Sequence, residues 1–142
     1  MQLCSCVSTL AHKVTRSAVF AAAAEEVWEA ITDPAALREW LAPEVELDAR
    51  EGGEVVCRFA DGEERRGEVE LVEEAERLAF HWWREDAGPS RVELTLDAVA
   101  DGTRLTVTET GLAAPPAPTL LAAGWTVSLA SLRLVVGRLV LA

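Results

Sequence analysis

Residue types able to do chemistry are sparse in this chain and lie far apart. Cys4, Cys6 and His12 offer thiolates and an imidazole, but structural zinc sites space their cysteines more widely and need a fuller ligand set. A single serine, Ser5, separates the two thiols and no further ligand is evident, so no metal is expected. His81 stands between Phe80 and Trp82, where no Ser, Cys or Asp falls at a spacing that would make it a catalytic base. Cys57 shares the apolar phase of Val55 and Phe59, the setting of an inert buried thiol. Phosphate-binding glycine loops, dinucleotide fingerprints, HExxH and GxSxG are absent. The residues therefore name no catalytic group and no cofactor, and an enzyme is not the leading expectation.

Two charged residues fall where apolar ones belong. Glu109 continues the alternation of Leu105 and Val107, and Arg16 falls in that of Val14, Ala18 and Phe20. A lone buried charge costs several kcal/mol, so neither belongs inside without a partner. The plainer alternative leaves both at strand ends in water.

The elements that must position these residues follow from periodicity. Residues 1–12 have little pattern and read as a loose tail, so that residues 13–142 form a single domain. Val14 to Phe20 reads as a strand. Ala24 to Ile31 puts Val27, Trp28 and Ile31 on one helical stripe, with Glu25 and Glu26 in the first turn, where the helix dipole favours them. Asp33-Pro34 offers an N-cap and a first-position proline for a short second helix through Leu37, Trp40 and Leu41, which Pro43 ends.

From Val45 onward the period falls to two. Val45, Leu47 and Ala49, then Val55, Cys57 and Phe59, then Val69 and Leu71, alternate with mostly charged neighbours. Gly52-Gly53, Asp61-Gly62, Gly88-Pro89 and Asp101-Gly102 mark the turns. In the aromatic strand Leu78, Phe80 and Trp82 face one way, His81 and Trp83 the other. A run of hairpins makes an antiparallel meander.

After Pro115, Pro116 and Pro118 the chain from Thr119 to about Leu141 reads as a helix roughly 35 Å long. Leu121, Trp125, Ser128, Leu132 and Val136 share a face, and the other faces are also largely apolar. Such a helix must be buried on most sides. A membrane span is the rival reading, but Arg133 near its middle would cost about 2.5–3.5 kcal/mol. A curved sheet gripping the helix avoids that cost if Arg133 and Arg138 emerge at an edge, so no membrane span is expected.

Composition limits the partners. Half of the 142 residues are hydrophobic and 26% are charged, the proportions of one ordinary globular domain. The formal charge is −11, and every acidic residue lies between Glu25 and Glu109. That field repels phosphate backbones, which excludes nucleic acid as the main partner. Three cysteines in a chain able to build its own core need no disulfide framework. The first dozen residues lack the basic start and apolar run of an export signal, so a cytoplasmic setting is expected.

Five strings in order carry a resemblance: VWEAITDPAALREWLAP at Val27 to Pro43, GGEVVCRF at Gly52 to Phe59, DGEERRGEVELVEEAERLAFHW at Asp61 to Trp82, VELTLDAVADGTRLTVTETGL at Val92 to Leu112, and GWTVSLASL at Gly124 to Leu132. Over nearly the whole chain after Val14 it resembles the SRPBCC or START-like superfamily, closest to the family of activator of heat-shock-protein ATPase homologues. It departs from that pattern at Ala22-Ala23, where Ala-Pro is usual, at the doubled Trp82-Trp83, and in its tail.

The resemblance implies an α+β helix-grip fold: a seven-stranded antiparallel sheet around a long C-terminal helix, with two short helices between strands 1 and 2. First and last strands are then neighbours, and an Arg16 to Glu109 pair becomes conceivable. Relatives bind lipids, sterols, polyketides or other apolar molecules; some are cyclases or aromatases, and some assist a chaperone. Applied to the strand phases, that fold lines a cavity with Phe59, Leu78, Phe80, Trp82, Leu94, Leu105 and Val107 from the sheet. Trp28 and Trp40 line it from the short helices and Trp125, Leu129 and Leu132 from the long one, with Arg16 and Glu109 as candidate polar cavity residues. The same residues could simply pack as core. The leading expectation is a non-catalytic carrier or sensor of a small hydrophobic ligand. The alternatives are a chaperone-associated interaction domain using Trp83 and the acidic exterior, and a cyclase-type or aromatase-type enzyme using Glu109 as its acid.

Overall fold

Alternating side chains and glycine turns build the sheet, and in the computed structural model residues 12–59, 62–83, 89–111, 128–134 and 136 are described. The strands are β1 (His12–Phe20), β2 (Glu44–Leu47), β3 (Glu54–Arg58), β4 (Glu64–Glu73), β5 (Arg77–Trp83), β6 (Ser90–Val99) and β7 (Gly102–Gly111). They form one antiparallel sheet in the order β1-β7-β6-β5-β4-β3-β2. Helices α1 (Ala24–Thr32) and α2 (Pro34–Trp40) lie between β1 and β2. Because β1 and β2 are opposite edges, that connection must cross the sheet, which would be about 29 Å wide if flat. It does so by packing α1 over β6 and β7 and α2 against β2.

β1 begins at His12, the last residue assigned to the tail from sequence. Glu26 returns its carboxylate to the Ala23 N–H at 2.9 Å and fixes the start of α1. Asp33 does occupy the N-cap of α2 with Pro34 behind it, but its side chain makes no capping hydrogen bond. Sequence alternation also misplaces one residue. A bulge in β4 between Val69 and Leu71 shifts the register against β5, so Val72, opposite Leu78, takes the inner phase that Leu71 would have had.

Gly67, on the same strand, stands opposite Trp82. A Cβ there would lie 1.7 Å from the His81 carbonyl oxygen and 2.8 Å from the Trp82 Cα, so β4 and β5 approach one another as only a glycine allows. A glycine and a bulge on one central strand are the devices that curl a sheet.

A third helix, α3, spans residues 128–134, with Val136 also helical. Leu129, Leu132 and Val136 are buried in the same core as Phe20, Phe80 and Leu105. Ala130, Arg133 and Leu134 face outward, Leu134 at 72% exposure, so this stretch buries one face and not most of its sides. The Arg133 guanidinium lies 5.8 Å over the Phe20 ring, at the β1 edge. The remainder of the helix expected from Thr119 to Leu141 lies outside the described residues, as do residues 1–11. Among the described residues no helix is long and apolar enough to cross a membrane.

Gly67→Ala should lower the stability by about 3 kcal/mol, the upper range for overpacking, because the clash is with backbone. Urea denaturation measures it, and an unchanged midpoint would show that β4 does not need the close approach.

Candidate functional site

The concave face divides into an apolar cavity beneath the two short helices and a charged corner at the far end of the strands. Ile31 of α1, Leu37, Trp40 and Leu41 at α2, Val45 and Leu47 of β2, Val55 and Cys57 of β3, Leu78 and Phe80 of β5, and Leu94 of β6 enclose the cavity. It measures about 20 Å³, room for roughly one water molecule, and its wall offers a water almost nothing to bond.

A buried polar contact ties the roof together. Ala30 would hand its carbonyl to the N–H four residues on, but that residue is Pro34 and has none. The Trp40 indole N–H donates to the Ala30 carbonyl instead, at 2.8 Å and out of reach of water. The bond ties α1 to α2 and aims the indole at the cavity.

Four of the residues expected from sequence meet around this space: Trp40, Leu78, Phe80 and Leu94. Leu105, Val107, Leu129 and Leu132 are buried in the adjoining core, where Trp28 and Phe59 pack at its margin. Trp125 lies outside the described residues. Ile31, Leu37, Val45, Leu47 and Val55 were not expected in the wall; their alternation was legible, but which strands the helices cover was not. Burial pushes the Cys57 thiol up to about 12 against the opposing pull of the Arg65 charge, so it stays protonated and unreactive near neutrality.

At the charged corner Glu109 is 2% exposed. Its Oε2 accepts from the Trp82 indole N–H at 2.9 Å and the Ser90 hydroxyl at 2.6 Å, and lies 3.7 Å from Arg65 Nη1. The Arg65 guanidinium stacks 4.8 Å over the Trp82 ring and 5.6 Å over Phe59, while its Nε donates to Glu63 at 2.8 Å. Phe80 and Phe59 meet Trp82 edge-on at 5.2 and 6.3 Å. Glu109 is therefore inside and paired, and not in water at a strand end.

The partner expected for it is elsewhere. β1 does pair with β7, but it sets Val14 opposite Glu109 and Arg16 opposite Val107. Arg16 lies on an edge strand, is exposed, and donates to the Thr15 carbonyl at 2.9 Å. Arg65 takes its place. It keeps the phase of Gly67 and Val69, the signal that could have found it.

The outer face is a lattice of exposed ion pairs. Arg91 reaches Glu70 at 2.8 Å and Glu93 at 2.7 Å, and its bond holds the Glu70 carboxyl below the usual range. His81 faces outward, its Nε2 3.1 Å from Glu70. Trp83 stands among these charges at 45% exposure. Among the described residues no cluster of His, Cys, Asp and Glu could hold a metal ion.

The sequence profile of the family described as Activator of Hsp90 ATPase homolog 1-like protein matches residues 21–137. Comparison with curated proteins gave no match. Among solved structures, protein CV1439 from Chromobacterium violaceum is 27% identical with a TM-score of 0.77, covering 88% of this chain and 96% of that one. CalU16 from Micromonospora echinospora is 28% identical with a TM-score of 0.77, over 89% of this chain and 76% of its own. DynU16, a protein in the dynemicin biosynthetic locus, is 30% identical with a TM-score of 0.75 over 86% of this chain; the match spans only 46% of DynU16.

Trp40→Phe keeps the roof's bulk but strands the Ala30 carbonyl, at a cost of about 1–3 kcal/mol. Urea unfolding should register that loss, and a midpoint equal to wild type would mean the carbonyl finds another donor.

Proposed function

The chain belongs to the Activator of Hsp90 ATPase homolog 1-like protein family, and from that premise we propose that it binds a small hydrophobic molecule between sheet and helices, as a carrier or sensor that catalyses no reaction. The observation that carries this reading is the cavity beneath α1 and α2, walled by apolar side chains from both helices and from four strands. In this reading the C-terminal helix extends from Thr119 to Leu141, and Trp125 completes the wall with Leu129 and Leu132.

Ligand sites generally offer about 300 Å³ or more, far beyond the 20 Å³ of this cavity among the described residues. In this reading the Trp40 roof moves outward on occupancy. Binding coupled to the position of α1 and α2 suits a sensor, because occupancy then changes the outer surface. DynU16 comes from a biosynthetic locus, which favours a small molecule over a protein as the partner. The exposed Trp83 supports a second reading, a chaperone-associated docking surface on the outer face.

Gentle purification followed by native mass spectrometry should reveal a co-purified apolar compound. A thermal-shift panel of lipids and aromatics should contain a ligand that raises the melting temperature by about 8 °C when near-saturating. No bound mass and no shift across the panel would reject the carrier reading.

A further inference from the structure

The corner around Glu109 has a composition that packing alone does not call for. A carboxylate buried on the concave face could have been an apolar residue at no loss, and commonly at a gain, of stability. It is present together with two aromatic faces and a cation stacked on both. We infer that Phe59, Trp82, Ser90 and Glu109 form a cage for the ammonium group of an amine-bearing apolar ligand, occupied in this structure by the guanidinium of Arg65. This inference rests on the ligand-binding reading above and gives that ligand a charge.

Geometry favours exchange of one cation for another. Arg65 Nη1 stops 3.7 Å from Glu109 Oε2, beyond hydrogen-bond range, whereas its Nε bond to Glu63 is short at 2.8 Å. An ammonium group is more compact than a guanidinium and can keep the same aromatic faces as neighbours. Because one positive charge replaces another, the buried carboxylate is never left without a counter-charge. Arg65 can leave while keeping Glu63, since exposure of their side chains rises from 3% at Glu109 to 16% at Arg65 and 24% at Glu63. An anionic ligand fits worse, because it would meet two carboxylates that already hold the guanidinium.

The apolar remainder of the ligand reaches the cavity when the packed Trp82 and Phe80 rings part. Trp82 contacts Phe80, and Phe80 belongs to the wall of the cavity under α2. An amine held at Glu109 thus directs its hydrocarbon part past Trp82 toward Leu78 and Leu94.

Isothermal titration with n-decylamine, 1-decanol and decanoate, each below its aggregation limit, tests the cage. Decylammonium should bind about ten-fold or more tighter than decanol, and decanoate weakest. Glu109→Gln should erase the amine's advantage over decanol. Arg65→Met removes the resident cation, so it should lower the melting temperature, and decylammonium but not decanol should restore it. Decanol binding with no amine preference, in wild type and in Arg65→Met, overturns the cage while leaving the carrier reading standing. A preference for decanoate overturns it in favour of Arg65 as an anion receptor. Failure of all three to bind rejects the cage together with the carrier reading.

Discussion

The interior of this protein depends on how β4 meets β5. Gly67 lets the backbones of β4 and β5 approach more closely than any side chain permits, and three residues later the Glu70 bulge skips a register. A flat sheet with the same alternation would press Leu78, Phe80 and Leu94 evenly onto one layer of helix. In the curled sheet, residues from opposite edges, such as Val45 of β2 and Phe20 of β1, belong to one core. Trp82 sits opposite the glycine and touches both the apolar wall, through Phe80, and the charged corner, through Glu109.

The two faces of the sheet divide the chemistry cleanly. Outside, carboxylates are met by Arg58, Arg66, Arg77 and Arg91 in exposed pairs, each contributing little to stability on its own. Inside, one carboxylate is held by an indole, a hydroxyl and a guanidinium, and everything around the adjoining cavity is apolar. The Cys57 thiol in that wall is pushed so far up by burial that it behaves as another small hydrophobe. Among the described residues, the interior thus presents an apolar wall and one hydrogen-bonded carboxylate.

Much of this was legible in the residues. Alternation and glycine turns gave the seven strands and the antiparallel meander from β2 to β7, the place of β1 beside β7 came from the family resemblance, and helical stripes gave α1 and α2 nearly to the residue. Legibility ended where a property belonged to several strands at once. Nothing local marks Glu70 as a bulge, so Leu71 and Val72 exchange roles. Glu109 announced itself as a charge in an apolar phase, but its partner was sought on the neighbouring strand β1 and found three strands away on β4. Asp33-Pro34 marked a helix start correctly, yet the deeper consequence of Pro34 was the carbonyl it leaves for Trp40. The size of the cavity depends on the fit of side chains from six elements, which no periodicity encodes.

The central claim is that ligands seat inside the curl and not on its outer face. Intermolecular nuclear Overhauser effects between bound n-decylamine and methyl-labelled protein test it directly. The account predicts contacts from the decyl chain to the methyls of Val55, Leu78 and Leu94, all lining the cavity. Contacts confined to the exposed Leu134 methyls or the Trp83 ring would contradict it.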